Sequence, residues 1–368
     1  MTSREKNNLR EILVIGAGAI GGITAAMLFK ENIDVQVITR KGSHYDAIKK
    51  NGLIIEVYEE PFKIPIECDF KKLKNKFKHI LVVVKNIDTK DVAKQLKSLI
   101  TPESLVYSLQ NGFGNVSELA EYVPPNQIVA GVIGWGATYL GNGKLRMTSS
   151  SGDFVLGFSS GKDANDPRLL EIKSYLDKFK PTILTNNIQG FRWAKLIVNS
   201  VIAPLGGLFG ITLGKMIGDP EIGFIMGCLK EEGLLVADTL KIRLEKVDGL
   251  DIRNFFYTPR PTDNLFTRLK RTTMSNIIRK VGEKRHGKIY PSLLTDLQRG
   301  RKTEIDYLNG YICRKAKEVG LEVPINSFLV KAINEIEKGK RKTGLENLSE
   351  IMQIAQYSKE KIKEQVSS

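Results

Sequence analysis

The chain has 368 residues, of which 42% are hydrophobic and 26% are charged. These proportions are typical of a soluble globular protein of two or three domains, and they exclude a disordered or fibrous chain. The net charge of +15 favours acidic ligands, but no zinc finger, basic zipper or RNA-binding aromatic motif accompanies it, so we predict no nucleic-acid partner.

The first part of the chain alternates short strands with helices. Ile12–Ile15 is a β-branched run that predicts a buried parallel strand, and Ala19–Lys30 predicts a helix. The stretch 12–29 carries no charge, but its four glycines favour a strand, a turn and a helix over a membrane segment. Further patterns predict strands at Val35–Thr39, Ile80–Val84, Ser104–Leu109 and Ile128–Gly134, a hairpin of Leu53–Val57 with Phe62–Ile66, and a helix from Asp88 to about Ile100.

The pattern of hydrophobic residues changes near residue 187, from strand-like to helical. Before it, Gly/Ser-rich sequence from 141 to 158 and the run 181–184 predict short appended strands, and after it long helical periodicities dominate. We therefore predict an α/β Rossmann-type parallel-sheet domain followed by a mostly α-helical C-terminal domain. The predicted parts are the Rossmann-type domain over 1–187, a helical domain over 188–335, and a helical tail over 336–368.

Cysteines and histidines suggest neither disulfides nor a metal. Cys68, Cys228 and Cys313 are far apart and form no Cys-x-x-Cys motif, which predicts reduced thiols in a cytoplasmic protein. The three histidines are equally scattered, so no metal site is predicted. Apart from 12–29, no segment approaches transmembrane length, so we predict no membrane partner.

A glycine motif predicts a dinucleotide site. Gly16, Gly18 and Gly21, with Ala19 and Ile20 between the last two, fit G-x-G-x-x-G between a predicted strand and a predicted helix. Gly16 permits the tight turn, Gly18 lets the backbone approach a pyrophosphate, and Gly21 lets the helix pack closely on the strand. The helix N-terminus then faces the phosphates. A glycine-rich turn without a ligand is the alternative.

The end of the second strand predicts which dinucleotide is bound. NAD enzymes carry an acid there for the ribose 2′-hydroxyl, whereas this chain has Arg40 between Thr39 and Lys41. A guanidinium binds a 2′-phosphate through paired hydrogen bonds. We therefore predict NADP(H), although Arg40 is otherwise interpretable as a surface arginine.

Two polar residues follow other strands of the predicted sheet. Lys85 and Asn111 lie where open α/β sheets bind ligands, at the carboxyl ends of strands. Lys85 is a candidate for a cofactor phosphate or ribose, and Asn111 for the nicotinamide ribose and carboxamide. A solvated lysine and an ordinary Asn-Gly turn are equally good interpretations.

The second domain contains two candidate segments. Lys195 and Asn199 are four residues apart on a mostly apolar helix, hence on one face, and Pro204 is expected to end or kink that helix. Ser292 and Glu304 are twelve apart, and a turn at Gly300 between two helices would fold Glu304 back toward Ser292. A snorkelling lysine, a helix N-cap and a helix first turn are the structural alternatives.

Taken together, these residues resemble the ketopantoate reductase (2-dehydropantoate 2-reductase) family over roughly residues 10–330. The motifs that carry the resemblance occur in the family's order: Gly16–Gly21, Arg40, Lys85, Gln110-Asn111-Gly112, Lys195 with Asn199, and Ser292 with Thr303-Glu304-Ile305-Asp306. The resemblance implies reduction of 2-dehydropantoate to pantoate by NADPH, in pantothenate and coenzyme A biosynthesis, with a homodimer as a possible state of the chain.

The resemblance also implies roles. Lys195 would be the general acid, and Glu304 would hold Lys195 or the substrate hydroxyl. Asn111 would orient substrate and nicotinamide, and Asn199 and Ser292 would bind the substrate. Two departures affect the expected substrate pocket, because Ala203 and Ile289 stand where many members carry asparagine. A reductase of another small 2-oxoacid and a non-catalytic NADP-binding sensor are therefore the competing hypotheses.

Overall fold

The computed structural model describes residues 9–149, 152–246, 249, 251–256, 264–267, 269, 270, 272, 273, 276, 277, 280, 287 and 289–367. These residues form two compact units. The first contains the chain up to Gln110 together with Gly114–Ile188, and the second contains Asn111–Phe113 together with the chain from Gln189 onward. The three-residue segment after Gln110 therefore belongs to the second unit, although its neighbours in sequence belong to the first.

The first unit is built on an eight-stranded sheet. The strands are β1 (Leu9–Ile15), β2 (Val35–Ile38), β4 (Ile66–Glu67), β5 (Lys76–Val82), β6 (Leu105–Ser108), β7 (Ile128–Ile133), β10 (Phe154–Phe158) and β11 (Thr182–Leu184). They lie in the order β11-β10-β7-β6-β5-β1-β2-β4, and all neighbouring strands are parallel except β10 and β7. From β1 the sheet extends on one side to β2 and on the other to β5, which creates the switch point where such sheets bind ligands.

Helices cover this sheet, and a small second sheet packs beside them. The helices are α1 (Ala19–Lys30), α2 (Ser43–Asn51), α3 (Thr89–Leu96), α4 (Asn115–Ala120) and α5 (Pro167–Leu176). The small sheet consists of β3 (Ile54–Ile55), β8 (Ala137–Gly141) and β9 (Lys144–Met147), in the order β3-β9-β8. The predicted hairpin over 53–66 is wrong, because β3 pairs with β9 and β4 with β2, and only an isolated Leu53–Phe62 bridge joins the two stretches.

The described part of the second unit is helical. Its helices are α6 (Ile188–Phe209), α7 (Leu213–Gly218), α8 (Pro220–Thr239), α9 (Ser292–Gln298), α10 (Asn309–Glu318), α11 (Pro324–Glu337) and α12 (Leu348–Ser367). Short 3₁₀ turns lie at Ile252–Asn254, Ile305–Tyr307 and Leu345–Asn347. The tail helix α12 packs on α8, and the buried Ser358 hydroxyl donates to the buried Glu232 carboxylate.

The helix that carries Lys195 does not end at Pro204. It continues to Phe209, one turn beyond the proline. Proline has no N–H to donate to the carbonyl four residues before it, here that of Ser200. Asn309 Nδ2 donates to that Ser200 oxygen at 3.0 Å instead, so the helix continues without leaving a buried acceptor unpaired.

The predicted fold class is confirmed: a mostly parallel sheet with helices is followed by a helical region. Among the described residues, no helix is both long and apolar enough to cross a membrane. Of the stretch 247–261, for which the sequence predicts a loop, the structure describes residues 249 and 251–256, including the 3₁₀ turn Ile252–Asn254.

Candidate functional site

The glycine turn has the geometry that its sequence motif predicts. Gly16 follows β1 with a φ of +108°, and its N–H donates to the Ile38 carbonyl at 2.8 Å. A Cβ on Gly21 would lie 2.0 Å from the Gly16 oxygen, so only glycine lets α1 start this close to the strand. Around Gly18, by contrast, no atom of the described residues lies within 4 Å of where a Cβ would be. The turn is therefore tight on its protein side and open on its other side.

The amino end of α1 suits an anion. The first turn of α1 contains no acidic residue, and its leading N–H groups have no intrahelical acceptor. Those N–H groups and the positive end of the helix dipole favour a phosphate. Ala19, Ile20 and Gly21 supply this turn. Their role in cofactor binding stays a prediction.

Arg40 lies two residues beyond β2, at the same edge of the sheet. The registers pair Ile15 with both Ile38 and Val82, so the carboxyl ends of β1, β2 and β5 are level. The Arg40 side chain is 83% exposed, and its Nη1 lies 3.7 Å from Asp88 Oδ2. An exposed ion pair of this kind contributes only about 0–1 kcal/mol, so the guanidinium can exchange it for a phosphate at little cost.

Lys85 lies just after β5, in a segment that contacts the glycine turn. A Cβ on Gly16 would lie within 3.1 Å of Val83 and Val84 atoms, and Lys85 is the next residue after this contact. The half-buried Lys85 begins the 3₁₀ turn Asn86–Asp88. The buried Gln110 fixes this segment, because its Nε2 donates to the Val84 oxygen at 3.0 Å and to Thr89 Oγ1 at 2.7 Å.

In the second unit, α6 presents Lys195 and Asn199 on one face. Lys195 is half-buried, and Asn199 Nδ2 donates to Asn111 Oδ1 at 3.3 Å. Asn111 is 88 positions away in sequence, so this hydrogen bond brings two separately predicted site residues together. Arg192, three positions before Lys195, shares the same helix face.

Arg192 and Tyr307 hold the segment Asn111–Phe113 from either side. Arg192 Nη2 donates to the Gly112 oxygen at 3.1 Å, and its guanidinium lies 4.1 Å from the centre of the Phe113 ring. The Phe113 N–H donates to the Tyr307 oxygen at 3.0 Å. Burial lowers the pKa of Arg192 to about 10, which leaves it charged at neutral pH. These contacts define the position from which the Asn111 side chain extends.

Sequence neighbours of Ser292 and Glu304 contact α6: Pro291 lies against Gly206, and Asn309 donates to the Ser200 oxygen. Ser292 is exposed and begins α9, where a Cβ on Gly206 would lie 2.3 Å from the ring of Pro291. Glu304 is half-buried and precedes the 3₁₀ turn Ile305–Tyr307, whose Tyr307 N–H donates to the Glu304 oxygen. A turn at Gly300, with a φ of +60°, separates the two as predicted.

The buried Thr303, one residue before Glu304, contacts the end of α11. Its hydroxyl donates to Glu337 Oε1 at 2.6 Å. The Ile305 N–H donates to the same hydroxyl oxygen, but the bond is weak because the two atoms are 3.4 Å apart. Glu337 accepts from the Thr303 N–H as well, at 2.7 Å. A carboxylate from α11 therefore fixes the chain just before Glu304.

The two departures from the family pattern occupy different surroundings. Ala203 is 4% exposed and lies in the apolar core of the second unit, where it offers a substrate no polar contact. Ile289 is 42% exposed, and its oxygen accepts from the Leu213 N–H at 2.9 Å. The substituted positions therefore supply apolar surface in place of two amides.

Several residues of these sites escaped the sequence analysis. Arg192 had a usable signal, because it stands three and seven positions before Lys195 and Asn199 on one helix face. Asn309 had none, since its partner Ser200 is 109 positions away in sequence. Among the described residues, no group of three or more histidine, cysteine or acidic side chains has metal-binding geometry.

Known proteins resemble this chain over most of its length. Models of the ketopantoate reductase PanE/ApbA family match residues 12–161, and models of its C-terminal domain match residues 187–337. A 2-dehydropantoate 2-reductase of Pyrococcus horikoshii is 29% identical over 335 residues, covering 90% of this chain and 100% of that protein.

Solved structures show the same fold. A PanE/ApbA family ketopantoate reductase from Ralstonia eutropha superposes with a TM-score of 0.73 at 24% identity, covering 90% of this chain and 99% of that one. A D-mandelate dehydrogenase in complex with NADH and anilino(oxo)acetate superposes with a TM-score of 0.74 at 23% identity, with the same coverage. The two family models, which together match most of the chain, show that it belongs to the ketopantoate reductase PanE/ApbA family.

Proposed function

We propose that this protein reduces 2-dehydropantoate to pantoate with NADPH as the hydride donor. The observation that carries the proposal is the hydrogen bond between two predicted substrate residues, Asn199 on α6 and Asn111. Pro291, next to Ser292, contacts the same helix at Gly206, and Asn309, five residues after Glu304, donates to the Ser200 oxygen of that helix. The relatives named 2-dehydropantoate 2-reductase support this choice of substrate.

The residues of the first unit fit a nicotinamide dinucleotide. The open face of Gly18 and the acid-free first turn of α1 would hold the diphosphate, and Arg40 would hold a 2′-phosphate. Lys85 would reach a phosphate or the ribose. Arg40 favours NADPH over NADH, whereas the related D-mandelate dehydrogenase structure contains NADH.

The chemistry required of the second unit is a proton transfer. When bound, NADPH supplies the hydride that adds to the keto carbon of the substrate. The Lys195 ammonium donates a proton to the carbonyl oxygen, so that the C=O bond becomes C–OH, and Lys195 regains a proton from solvent. Asn111 and Asn199 donate amide hydrogens to the substrate, Ser292 donates its hydroxyl, and Glu304 orients Lys195 or the new hydroxyl.

The direct test is the oxidation of NADPH in the presence of a panel of 2-oxoacids. We expect kcat/KM for 2-dehydropantoate to exceed that for phenylglyoxylate and pyruvate by about tenfold or more, since each lost polar contact costs about 1–3 kcal/mol. The second candidate, a reductase of a more apolar 2-oxoacid, is favoured by Ala203 in the core. Preference for phenylglyoxylate would select that candidate, and NADPH binding without turnover would indicate a sensor.

The choice of cofactor is tested at Arg40. In Arg40→Asp the carboxylate repels a 2′-phosphate and accepts from a 2′-hydroxyl, so kcat/KM should move from NADPH toward NADH by about tenfold or more. Lys41→Asp makes the same charge change one residue later and is the matched control. Equal shifts in both variants would mean that only general charge, and not the Arg40 guanidinium, selects the cofactor.

A further inference from the structure

His44 lies at the start of α2 and joins two segments with its two ring nitrogens. Its Nε2 is 2.7 Å from the Ala17 oxygen, and its Nδ1 is 2.9 Å from the Gly143 nitrogen. A backbone amide can only donate, so Nδ1 is the acceptor and the ring proton resides on Nε2, which donates to Ala17. Burial lowers the pKa of His44, in agreement with a neutral ring.

The bond to Ala17 acts on the glycine turn. Ala17 is the second residue of that turn, and its carbonyl shares one peptide plane with the N–H of Gly18. In a trans peptide these two groups point in opposite directions. By holding the Ala17 oxygen, His44 therefore also fixes the direction of the Gly18 N–H, on the residue whose surroundings are open.

The other nitrogen ties His44 to the hairpin of β8 and β9. Gly143 lies in the turn of this hairpin, and next to it Asn142 Oδ1 accepts from the Ser43 hydroxyl at 2.9 Å. The Tyr139 ring on β8 packs edge-on against the imidazole, with centroids 4.9 Å apart. The ring is thus held on its hairpin side by a backbone amide and an aromatic contact, and cannot turn without losing both.

We propose that His44 is a positioning residue for the cofactor, and that it holds the Ala17–Gly18 peptide so that the Gly18 N–H faces the diphosphate. The inference rests on the proposed binding of NADPH. It assigns no chemistry to His44, which acts through the backbone of the glycine turn. The hairpin of β8 and β9 then supports the cofactor site indirectly, through its contacts with His44.

Two variants divide the contacts of the ring between them. In His44→Gln the terminal amide nitrogen lies as many bonds from the backbone as Nε2, so the bond to Ala17 can be kept while the acceptor for Gly143 is lost. In His44→Asn the amide oxygen replaces Nδ1, so the bond to Gly143 can be kept while Ala17 loses its donor. Both are tested in the full chain, with the unfolding midpoint as a check of folding.

The readout is the Kd for NADPH and, separately, for 2′-AMP, which carries the 2′-phosphate without the diphosphate. We expect His44→Asn to weaken NADPH about tenfold and to leave 2′-AMP unchanged, because only the diphosphate loses a hydrogen bond. His44→Gln should stay within about twofold of the wild type for both ligands.

Three other results would overturn the inference. Equal NADPH affinity in all three proteins would show that the Ala17 bond does not matter, and equal loss of NADPH and 2′-AMP would reduce His44 to a general structural support. A weaker NADPH complex in His44→Gln than in His44→Asn would assign the effect to the hairpin. The proposed cofactor itself fails only if the wild-type chain does not bind NADPH, which the same titration shows.

Discussion

At the scale of single residues, the proposed chemistry depends on Lys195. Its half-buried position on α6, one turn from Asn199, is that expected of an acid serving a bound carbonyl. Replacing the ammonium with a thioether in Lys195→Met should lower kcat by about 10²–10⁴, because a positioned acid typically contributes that much. Steady-state kinetics with NADPH and 2-dehydropantoate measure the effect.

The matched control for Lys195 is an exposed lysine of the same unit. Lys215→Met on α7 removes an equal charge away from the α6 face and should leave kcat unchanged. The Kd for NADPH should be the same in both variants, since the glycine turn belongs to the other unit. An unchanged kcat in Lys195→Met would remove this residue from the mechanism.

The residues that could be predicted are those whose constraint is local in sequence. The six-residue turn requires glycine at Gly16 and Gly21, and the periodicity of a helix places Lys195 and Asn199 on one face. Motif spacing and periodicity are therefore enough to select these residues as candidates. His44 and Asn309 could not be assigned roles this way. Their contacts join positions 27 and 109 residues apart, and only the folded chain brings such positions together.

At the scale of elements, α6 passes a proline because a side chain from another segment replaces the missing hydrogen bond. Asn309→Leu should therefore lower the free energy of unfolding by about 1–3 kcal/mol, because the buried Ser200 carbonyl loses its donor. The bond from Asn309 to Asn326 Oδ1, also 3.0 Å long, is lost in the same variant. Denaturant unfolding followed by the fluorescence of Trp193, which is buried in the same unit, measures the change.

A double-mutant cycle isolates the proline's share. In a Pro204→Ala background the new alanine N–H can donate to the Ser200 oxygen, so Asn309→Leu should cost less there than in the wild type. The residual cost reports the loss of the Asn326 contact and the change of packing. Equal costs in the two backgrounds would show that the Ser200 carbonyl contributes nothing to the stability of α6.

The type of each helix or strand was easier to predict from the sequence than the pairing of the strands. Strands such as Lys144–Met147 and helices such as Ala19–Lys30 are set by their own residue pattern. The predicted hairpin over 53–66 is wrong because β3 and β4 have only two residues each, too few to define a pairing partner. β3 pairs with β9 in the small sheet, and β4 pairs with β2 in the large sheet.

At the scale of the whole molecule, the buried His79 makes stability depend on pH. Its Nδ1 lies 2.9 Å from the Tyr107 hydroxyl and its Nε2 lies 3.2 Å from Glu171 Oε2. The Glu171 carboxylate favours the charged ring, but burial outweighs it and lowers the pKa of His79 below the ordinary value. The folded state thus binds the proton less readily than the unfolded state does.

The sign of the effect follows from this lowered pKa. The contribution of His79 is fully present above about pH 6.5, the ordinary imidazole value, and is lost as the pH falls below it. We expect the free energy of unfolding of the first unit, followed by Trp135 fluorescence, to decline between about pH 6.5 and 5. In His79→Gln the decline should be shallower, and an identical slope would assign the dependence to other groups.

The membership of Asn111–Phe113 in the helical unit limits how this protein can be divided. The polypeptide leaves the sheet unit after Gln110, returns at Gly114 and leaves again after Ile188. A fragment expressed from Gln189 onward would therefore lack the tripeptide to which Arg192, Asn199 and Tyr307 are hydrogen-bonded. It would also expose to water the apolar surface against which Phe113 packs. The second unit is thus discontinuous in sequence, and a chimera that exchanges this unit between relatives must exchange Asn111–Phe113 together with the helices.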